Sequence, residues 1–231
     1  MIKHHPHTDL LLAHAKAELP LSMSIAIAAH CALCHECQSQ VSQFTEQAAE
    51  LAFVAQGDTL DQTPMNATDS SQDDALQQML SQIMALPEAT QTEDDYPVKS
   101  TVSLNHKNVR YEIPRVFRQH IAHPWQQIGK VSRMRFNVDE NNTRASLLHI
   151  DALGEIPQHT HKGYELTLLL AGEFSDLHGQ YVPGDFIILD GKTQHSPKTQ
   201  SGCLCYTVLD APLYFTKGLS KLLNPIGELI Y

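Results

Sequence analysis

The stretch "PQHTHKGYELTLLLAG", residues 157–172, places two histidines and a glutamate just before a strand-like apolar run. If His159 and His161 lie on a strand, they point to the same face, because successive side chains alternate. Glu165 is expected on the adjoining strand, and His195 is expected to approach from a neighbouring one. Three imidazoles and a carboxylate inside a barrel predict a metal site suited to zinc, iron, manganese or nickel.

Short strand-like segments continue on both sides of this stretch, separated by Gly, Pro and Asp. They cover residues 130–138, 144–153, 165–176, 179–190 and 203–212. Closely spaced strands with turn signals between them are typical of a β-sandwich or barrel. Cys203 and Cys205, two residues apart, are expected to point the same way on the last strand. A redox pair and an ordinary apolar strand pair both remain open interpretations.

A second group of metal-ligand residues lies in "SIAIAAHCALCHEC", residues 24–37. His30, Cys34 and Cys37 stand at i, i+4 and i+7, so a single helix would project them along one face. Zinc prefers four thiolate or imidazole ligands in a tetrahedron, so this face predicts three of the four. Cys31 offers an alternative trio with the other two cysteines, although an iron–sulfur motif would need a fourth cysteine.

The fourth ligand of this site is expected near the start of the chain. His5 is the natural candidate, with His4 and His7 as competitors. A metal bond between the chain start and the following helices would stabilise a module that has little core of its own. His35 is expected to face solvent.

The first hundred residues are predicted to be mainly helical. Residues 8–53 contain three helical segments, residues 56–72 are polar and turn-rich like a linker, and residues 73–86 form a strongly amphipathic helix. The apolar stripe of that helix has helical spacing and consists of Leu76, Met79, Leu80, Ile83 and Met84. It is expected to pack either on its own domain or on a partner protein.

The charge of the chain is divided unevenly. The net charge is −10, yet residues 17–98 contain thirteen acidic residues and no lysine or arginine. An acidic half of this kind disfavours nucleic acid and favours a basic partner, although a solvated acidic surface explains the charge equally well. No apolar run is long enough to span a membrane, and the five cysteines do not resemble a secreted disulfide framework. A cytoplasmic protein is expected.

Both ligand groups belong to recognisable motifs. Two parts of the chain resemble the two cupin motifs. The residues that resemble the first motif are Gly154, His159, His161, Glu165 and Gly172, and the stretch that resembles the second is "PGDFIILDGKTQH" at 183–195. A cupin that follows a His-x3-Cys-x2-Cys helical module resembles the ChrR family of zinc-binding anti-sigma factors. The opening "HHPHTDLLLAHA", residues 4–15, is also similar to the start of that family.

The resemblance implies an α+β multidomain protein, in which a small all-α zinc-binding domain precedes an all-β cupin, a double-stranded β-helix or jelly-roll barrel. The expected division is a helical anti-sigma domain at 1–90, an acidic linker at 91–105 and the cupin at 106–231. The implied zinc ligands are His5, His30, Cys34 and Cys37 in the first domain, and His159, His161, Glu165 and His195 in the second.

The implied function is inhibition of an extracytoplasmic-function-type sigma factor in a 1:1 complex. The implied signal for release is oxidative stress, such as singlet oxygen or peroxide, sensed through the cupin. No enzymatic activity and no direct nucleic-acid or membrane contact are expected.

A different class of function remains open at this stage. A cupin with three histidines and one glutamate is also the site of metal-dependent enzymes such as dioxygenases, in which an open metal position activates substrate or dioxygen. The attached zinc module would then be an interaction module. The identity of the metal in the cupin distinguishes the two functions, since zinc favours the sensor and redox-active iron favours the enzyme.

Overall fold

The computed structural model describes residues 1–60, 70–86, 100–121, 123–138, 140 and 142–216, with residues 55–60 and 70–75 described as backbone alone. The chain divides into two compact units, one formed by residues 1–48 with 100–231 and the other by residues 49–99. Among the described residues, no helix combines the length and apolar character needed to cross a membrane.

Four α-helices occupy the first part of the chain: α1 (Thr8–Ala15), α2 (Leu21–Cys31), α3 (His35–Leu60) and α4 (Ser70–Met84). The His7 side chain accepts a hydrogen bond from the Asp9 amide and so caps α1. The helical prediction for residues 8–53 is confirmed. The linker prediction is wrong for residues 56–60 and 70–72, because α3 continues to Leu60 and α4 begins at Ser70. Residues 61–69 lie outside the described part.

The strands begin at residue 101 and number twelve among the described residues. They are β1 (Thr101–His106), β2 (Val109–Pro114), β3 (Gln126–Ile128), β4 (Val131–Arg135), β5 (Arg144–Ile150), β6 (His159–His161), β7 (Glu165–Gly172), β8 (Phe174–Ser175), β9 (Gln180–Tyr181), β10 (Phe186–Leu189), β11 (Cys203–Leu209) and β12 (Leu213–Phe215). A 3-10 helix covers Arg115–His120. Six strands form one antiparallel sheet in the order β10-β7-β11-β5-β4-β3, and β12 pairs with β6. The predicted helical module followed by a cupin-type β-domain is confirmed.

The β1–β2 hairpin was not predicted, and β1 falls within the range 91–105 assigned to the linker. Its two turn residues, Lys107 and Asn108, have φ angles of 46° and 64°. Positive φ at both central residues defines the type I′ turn that matches the twist of paired strands. The turn usually carries glycine at its second position, so "HKNV" gave little sequence signal for a hairpin.

The strands β7 and β11 are buried on both faces, which explains why they read as nearly continuous apolar runs. The inner face of the six-stranded sheet belongs to a small core that contains Ile150, Leu169, Phe174, Tyr181, Cys203 and Cys205. The outer face packs against α1, α2 and the 3-10 helix through a larger core that includes Leu11, Ile27, Phe117, Leu147, Leu204 and Tyr206.

Helix α2 is therefore part of the β-domain's core. Ile25, Ala26, Ile27 and Ala29 are all buried, and Tyr206 on β11 donates a hydrogen bond to the Ser22 carbonyl, 2.9 Å away. The predicted boundaries at 1–90 and 106–231 separate residues that this packing brings together. The reason is that α2 is apolar around its whole circumference and needs a second surface to bury it.

Candidate metal centres

The first ligand group converges at the start of the chain. One ligand atom from each of His5, His30, Cys34 and Cys37 lies within 4.8 Å of the other three, a set that could hold one metal ion. His5 Nδ1 is 3.5 Å from both the Cys34 and the Cys37 Sγ atoms. The structure thus brings together all four residues named from the sequence.

The predicted single helix face is wrong in one respect. Helix α2 ends at Cys31 and α3 begins at His35, so His30 and Cys37 lie on different helices. Cys34 lies in the connection, where its amide still bonds the His30 carbonyl at 2.8 Å and its carbonyl accepts the Gln38 amide. The spacing still brings the ligands together, because this connection keeps helix-like hydrogen bonds on both sides of Cys34.

His30 is prepared as a ligand by a contact with the β-domain. Its ring is fully buried, and Nδ1 lies 2.8 Å from the carbonyl oxygen of Gly184. Nδ1 therefore donates the proton, and Nε2 is left buried with no hydrogen-bond partner in the described part of the chain. An unpartnered buried nitrogen beside two thiols is what a metal site requires, and a backbone carbonyl is a usual partner for the second ring nitrogen.

The competitors for the fourth position lie elsewhere. The His4 ring packs on Tyr181 with a centroid distance of 5.2 Å, and His7 caps α1. Cys31 is half-buried outside the group, and His35 is exposed as predicted.

The Cys37 thiol of this group is protonated without a metal. Burial, together with the neighbouring Cys34, raises the pKa of Cys37 to about 12. A metal ion would displace that proton, since the thiolate is the ligand form.

The second ligand group lies on β6, β7 and the segment before β11. His159, His161, Glu165 and His195 are all buried, and their ligand atoms lie within 4.8 Å of one another. Strand β6 places His159 and His161 on one face, and an isolated bridge pairs His159 with His195. All four residues predicted from the two motifs are thus brought together.

The geometry of this group fits a metal ion better than a hydrogen-bond network. His161 Nε2 and His195 Nε2 each lie 2.9 Å from Glu165 Oε2, yet none of these three atoms makes a well-formed hydrogen bond within the described residues. Ligand atoms aimed at a common centre produce this pattern. His159 Nδ1 lies 2.8 Å from the Pro157 carbonyl, which leaves Nε2 for the metal.

The protonation states of His159 and Glu165 agree with ligand roles. Burial lowers the pKa of His159 to about 4, so its ring is neutral at pH 7. Burial alone would raise the pKa of Glu165, but the nearby His161 and His195 outweigh it and hold the pKa well below its usual value. The group therefore offers a carboxylate and at least one neutral imidazole.

Cys203 and Cys205 point to the same inner face of the sheet, as predicted, and share its core. A hydrogen bond between the two thiols and burial raise the pKa of Cys205 well above its ordinary value. A buried thiol that stays protonated is a poor nucleophile, so the structure favours the apolar-pair interpretation for the resting protein.

A cavity of about 350 Å³ opens beside the second ligand group. His159 and Glu165 form one part of its wall, and the rest of the lining is largely apolar, with Arg133 and Lys130 as cations. No sequence signal marked these two basic residues. The register of β4 with β5 sets Arg133 opposite Leu148, and Lys130 immediately precedes β4.

The comparisons with known proteins agree with this arrangement. Residues 115–212 match the family model described as the ChrR cupin-like domain. The chain is 29% identical to the anti-sigma-E factor ChrR of Cereibacter sphaeroides over 229 residues, which covers 97% of each chain.

A solved structure shows the same fold. The crystal structure of Rhodobacter sphaeroides SigE in complex with the anti-sigma ChrR contains a chain that matches with a TM-score of 0.58 and 22% identity, covering 90% of this chain and 99% of that one. A putative acetylacetone dioxygenase from Methylibium petroleiphilum matches at 15% identity with a TM-score of 0.39, over 49% of this chain and 86% of its own.

The fold and its two ligand groups define a cupin protein with a helical His/Cys module packed on its sheet. Within that class, the resemblance to the ChrR family is confirmed, because the matching cupin-like domain and the curated relative together account for nearly the whole chain.

Proposed function

We propose that the protein is an anti-sigma factor that binds an extracytoplasmic-function-type sigma factor in a 1:1 complex in the cytoplasm. The observation that carries this proposal is an exposed apolar surface on the acidic helices. On α3, Leu51, Phe53 and Val54 are 69–74% exposed, and on α4, Leu76, Met79, Leu80 and Ile83 are 51–55% exposed. Large exposed apolar patches mark interaction sites.

The charge around this surface supports a basic partner. Both helices lie within residues 17–98, which contain thirteen carboxylates and no lysine or arginine. A sigma factor contacts promoter phosphates and therefore carries basic surface. An acidic inhibitor is complementary to such a surface and accelerates encounter. The curated relative and the solved complex are both described as anti-sigma ChrR, in keeping with this proposal.

Zinc is the metal proposed for the first ligand group. Two cysteines and two histidines without a carboxylate or an open position are typical of a closed structural zinc site. His5, His30, Cys34 and Cys37 would hold the ion, which would fix the chain start against the connection between α2 and α3. The metal would then keep the helical module in its binding shape.

For the second ligand group, zinc is again proposed, with iron, manganese or nickel as alternatives because imidazole and carboxylate ligands accept all four. We propose that this cupin site senses oxidative stress, such as singlet oxygen or peroxide, and thereby releases the sigma factor. The contact between His30 and Gly184 supports this idea, since it joins the first ligand group directly to the cupin sheet.

An alternative function is that of a metal-dependent enzyme resembling a dioxygenase. The cavity that reaches His159 and Glu165 favours it, because a substrate could approach the metal there. In such an enzyme, the helical module with its exposed apolar faces takes no part in catalysis and would serve only as an interaction module. Metal analysis separates the two, because iron in the cupin together with oxygen uptake would favour catalysis.

The test uses the tagged full-length chain and measures its affinity for the sigma factor that co-purifies with it. The variant L76D/L80D/I83D places three charges on the apolar face of α4 and should weaken binding at least tenfold, since each buried leucine or isoleucine contributes about 1.5–3 kcal/mol. The control Q78D/S81D adds charge to the opposite face of the same helix and should bind normally. Capture of no sigma factor by the wild-type chain, or equal binding by both variants, would refute the proposal.

A further inference from the structure

The cavity beside the second ligand group contains a cation with no assigned role. Arg133 lies on β4, directly opposite Leu148 of β5, and this register places both side chains on the inner face of the sheet. The Nε atom of Arg133 is fully buried and has no hydrogen-bond partner among the described residues, and no carboxylate in that part of the chain forms a salt bridge with it.

The remaining contacts of Arg133 do not neutralise it. Its Nη2 donates a long hydrogen bond of 3.4 Å to Gln126 Oε1. Burial, and to a lesser degree the nearby Arg135, lower the pKa of Arg133 to about 10. The half-buried guanidinium thus lies in a site that destabilises its charge, and none of the described carboxylates is bonded to it, although a charge removed from water is normally paired.

The rest of the cavity is shaped for an apolar molecule. Leu148, Ile156, Leu213 and Phe215 line it, and its volume of about 350 Å³ lies within the range of ~300–1,000 Å³ found for small-molecule pockets. The second cation in the lining, Lys130, is already engaged with the carbonyls of Ala152 and Leu153.

The charges in the cavity restrict the ligand further. Two carboxylates also line it: Glu165 belongs to the metal group, and Glu155 accepts a hydrogen bond from Ser196. A ligand with two negative charges would face this acidic wall with only one unpaired guanidinium to compensate. A single carboxylate matches the planar fork of one arginine, which can bind both oxygens.

We propose that this cavity binds an amphiphilic monocarboxylate, with its head group on Arg133 and its aliphatic chain along Leu148, Ile156 and Phe215, next to the metal group. Binding of this ligand involves the cupin alone and does not depend on whether the helical module binds a sigma factor. The bound molecule would lie beside His159 and Glu165, the two metal-group residues in the cavity wall.

The test is titration calorimetry of the metal-loaded full-length chain with decanoate, 1-decanol and decylamine. We expect decanoate to bind at least tenfold more tightly than the uncharged 1-decanol or the cationic decylamine. The variant R133Q should weaken decanoate binding at least tenfold and abolish its advantage over decanol, because the charge-assisted hydrogen bonds are lost. The exposed Arg118 provides the matched control, and R118Q should bind decanoate like the wild type.

The variant R133K distinguishes a lost charge from a damaged fold. It keeps the charge without the fork, so it should bind decanoate with an affinity between those of wild type and R133Q. Circular dichroism and metal content of each variant report on folding. Several outcomes would overturn the proposal: no decanoate binding at millimolar concentration, equal binding of decanol, or unchanged binding in R133Q. If R133Q still binds decanoate and removal of the metal abolishes binding, the carboxylate binds the metal and not Arg133. That result would also overturn the proposal.

Discussion

The Nδ1 atom of His30, in the first ligand group, donates its proton to the carbonyl of Gly184, which belongs to the turn of the second cupin motif. The following residue, Asp185, accepts hydrogen bonds from the amides of Lys3 and His4. Strand β10 begins one residue later and ends at Leu189, which pairs with Glu165 of the second ligand group. The two candidate metal centres are therefore connected through one short strand.

This connection predicts that losing the first metal loosens the turn at 184–186. In C34S/C37S, hydrogen exchange should become faster at the Lys3, His4 and Phe186 amides, since Phe186 donates to the His4 carbonyl at 2.9 Å. The β1–β2 hairpin is the internal reference and should exchange as in the wild type. Unchanged exchange at the turn would show that the metal does not hold it.

The cysteines of the first group are expected to differ sharply in their effect on metal content. Cys34 is buried within the ligand group, whereas Cys31, three residues earlier, lies outside it. In C34S the bound zinc should fall by about one equivalent per chain, with a lower melting temperature, because a structural zinc contributes folding energy directly. C31S should keep its zinc. Loss of zinc in C31S as well as in C34S would identify the three-cysteine alternative as the correct ligand set.

The charge on α3 should govern how fast a sigma factor binds. Glu46 and Glu50 are exposed on this helix. Stopped-flow measurements on E46K and E50K should give association rates several-fold lower than wild type at low salt, and the difference should shrink at high salt because ions screen exposed charges. E155K makes the same charge change on the β-domain and should leave the rate unchanged. Equal slowing by all three variants would mean that net charge, not this helix, steers the encounter.

Two buried histidines predict a loss of stability in mild acid. His149 lies 3.0 Å from the Tyr111 hydroxyl and packs against His106, and burial lowers the pKa of both rings below the usual 6.5. His106 and Lys107 lower the pKa of His149 further, while Asp151 opposes them. The unfolded chain takes up these protons first, so stability is complete above pH 6.5 and falls as the pH drops below it.

Denaturant unfolding across this pH range measures the effect. Replacing His149 by Gln should make the fall less steep, by up to about 1.4 kcal/mol per pH unit. H123Q, at an exposed histidine, should keep the wild-type slope. Parallel curves for wild type and H149Q would show that His149 is not responsible.

The glycine that ends the first cupin motif should tolerate no side chain. Gly172 has a φ angle of 78°, and a Cβ there would overlap the carbonyl oxygen of Gly202 on the neighbouring strand connection. G172A should therefore lower the free energy of unfolding by at least about 2 kcal/mol. G179A is the control, because the nearest atom to a Cβ at that position lies 3.9 Å away. Equal stability of the two variants would contradict this explanation of the motif.

Both ligand groups, the helical segments and the β-rich half could be predicted from local patterns, because ligand spacing and apolar periodicity are local properties of the chain. The sequence also identified His5 ahead of its neighbours, although only the structure separates it from His4 and His7. Periodicity could not show that α2 ends at Cys31, since the connection retains helix-like hydrogen bonds.

The packing of the helical module on the cupin and the lining of the cupin cavity could not be predicted in this way. The bond from His30 to Gly184 joins residues 154 positions apart, and Arg133 gains its environment from the register of β4 with β5. Contacts of this kind depend on which apolar surfaces pack together when the chain folds. Local sequence patterns do not predict these contacts, because the contacts result from the packing of α2 against the whole sheet.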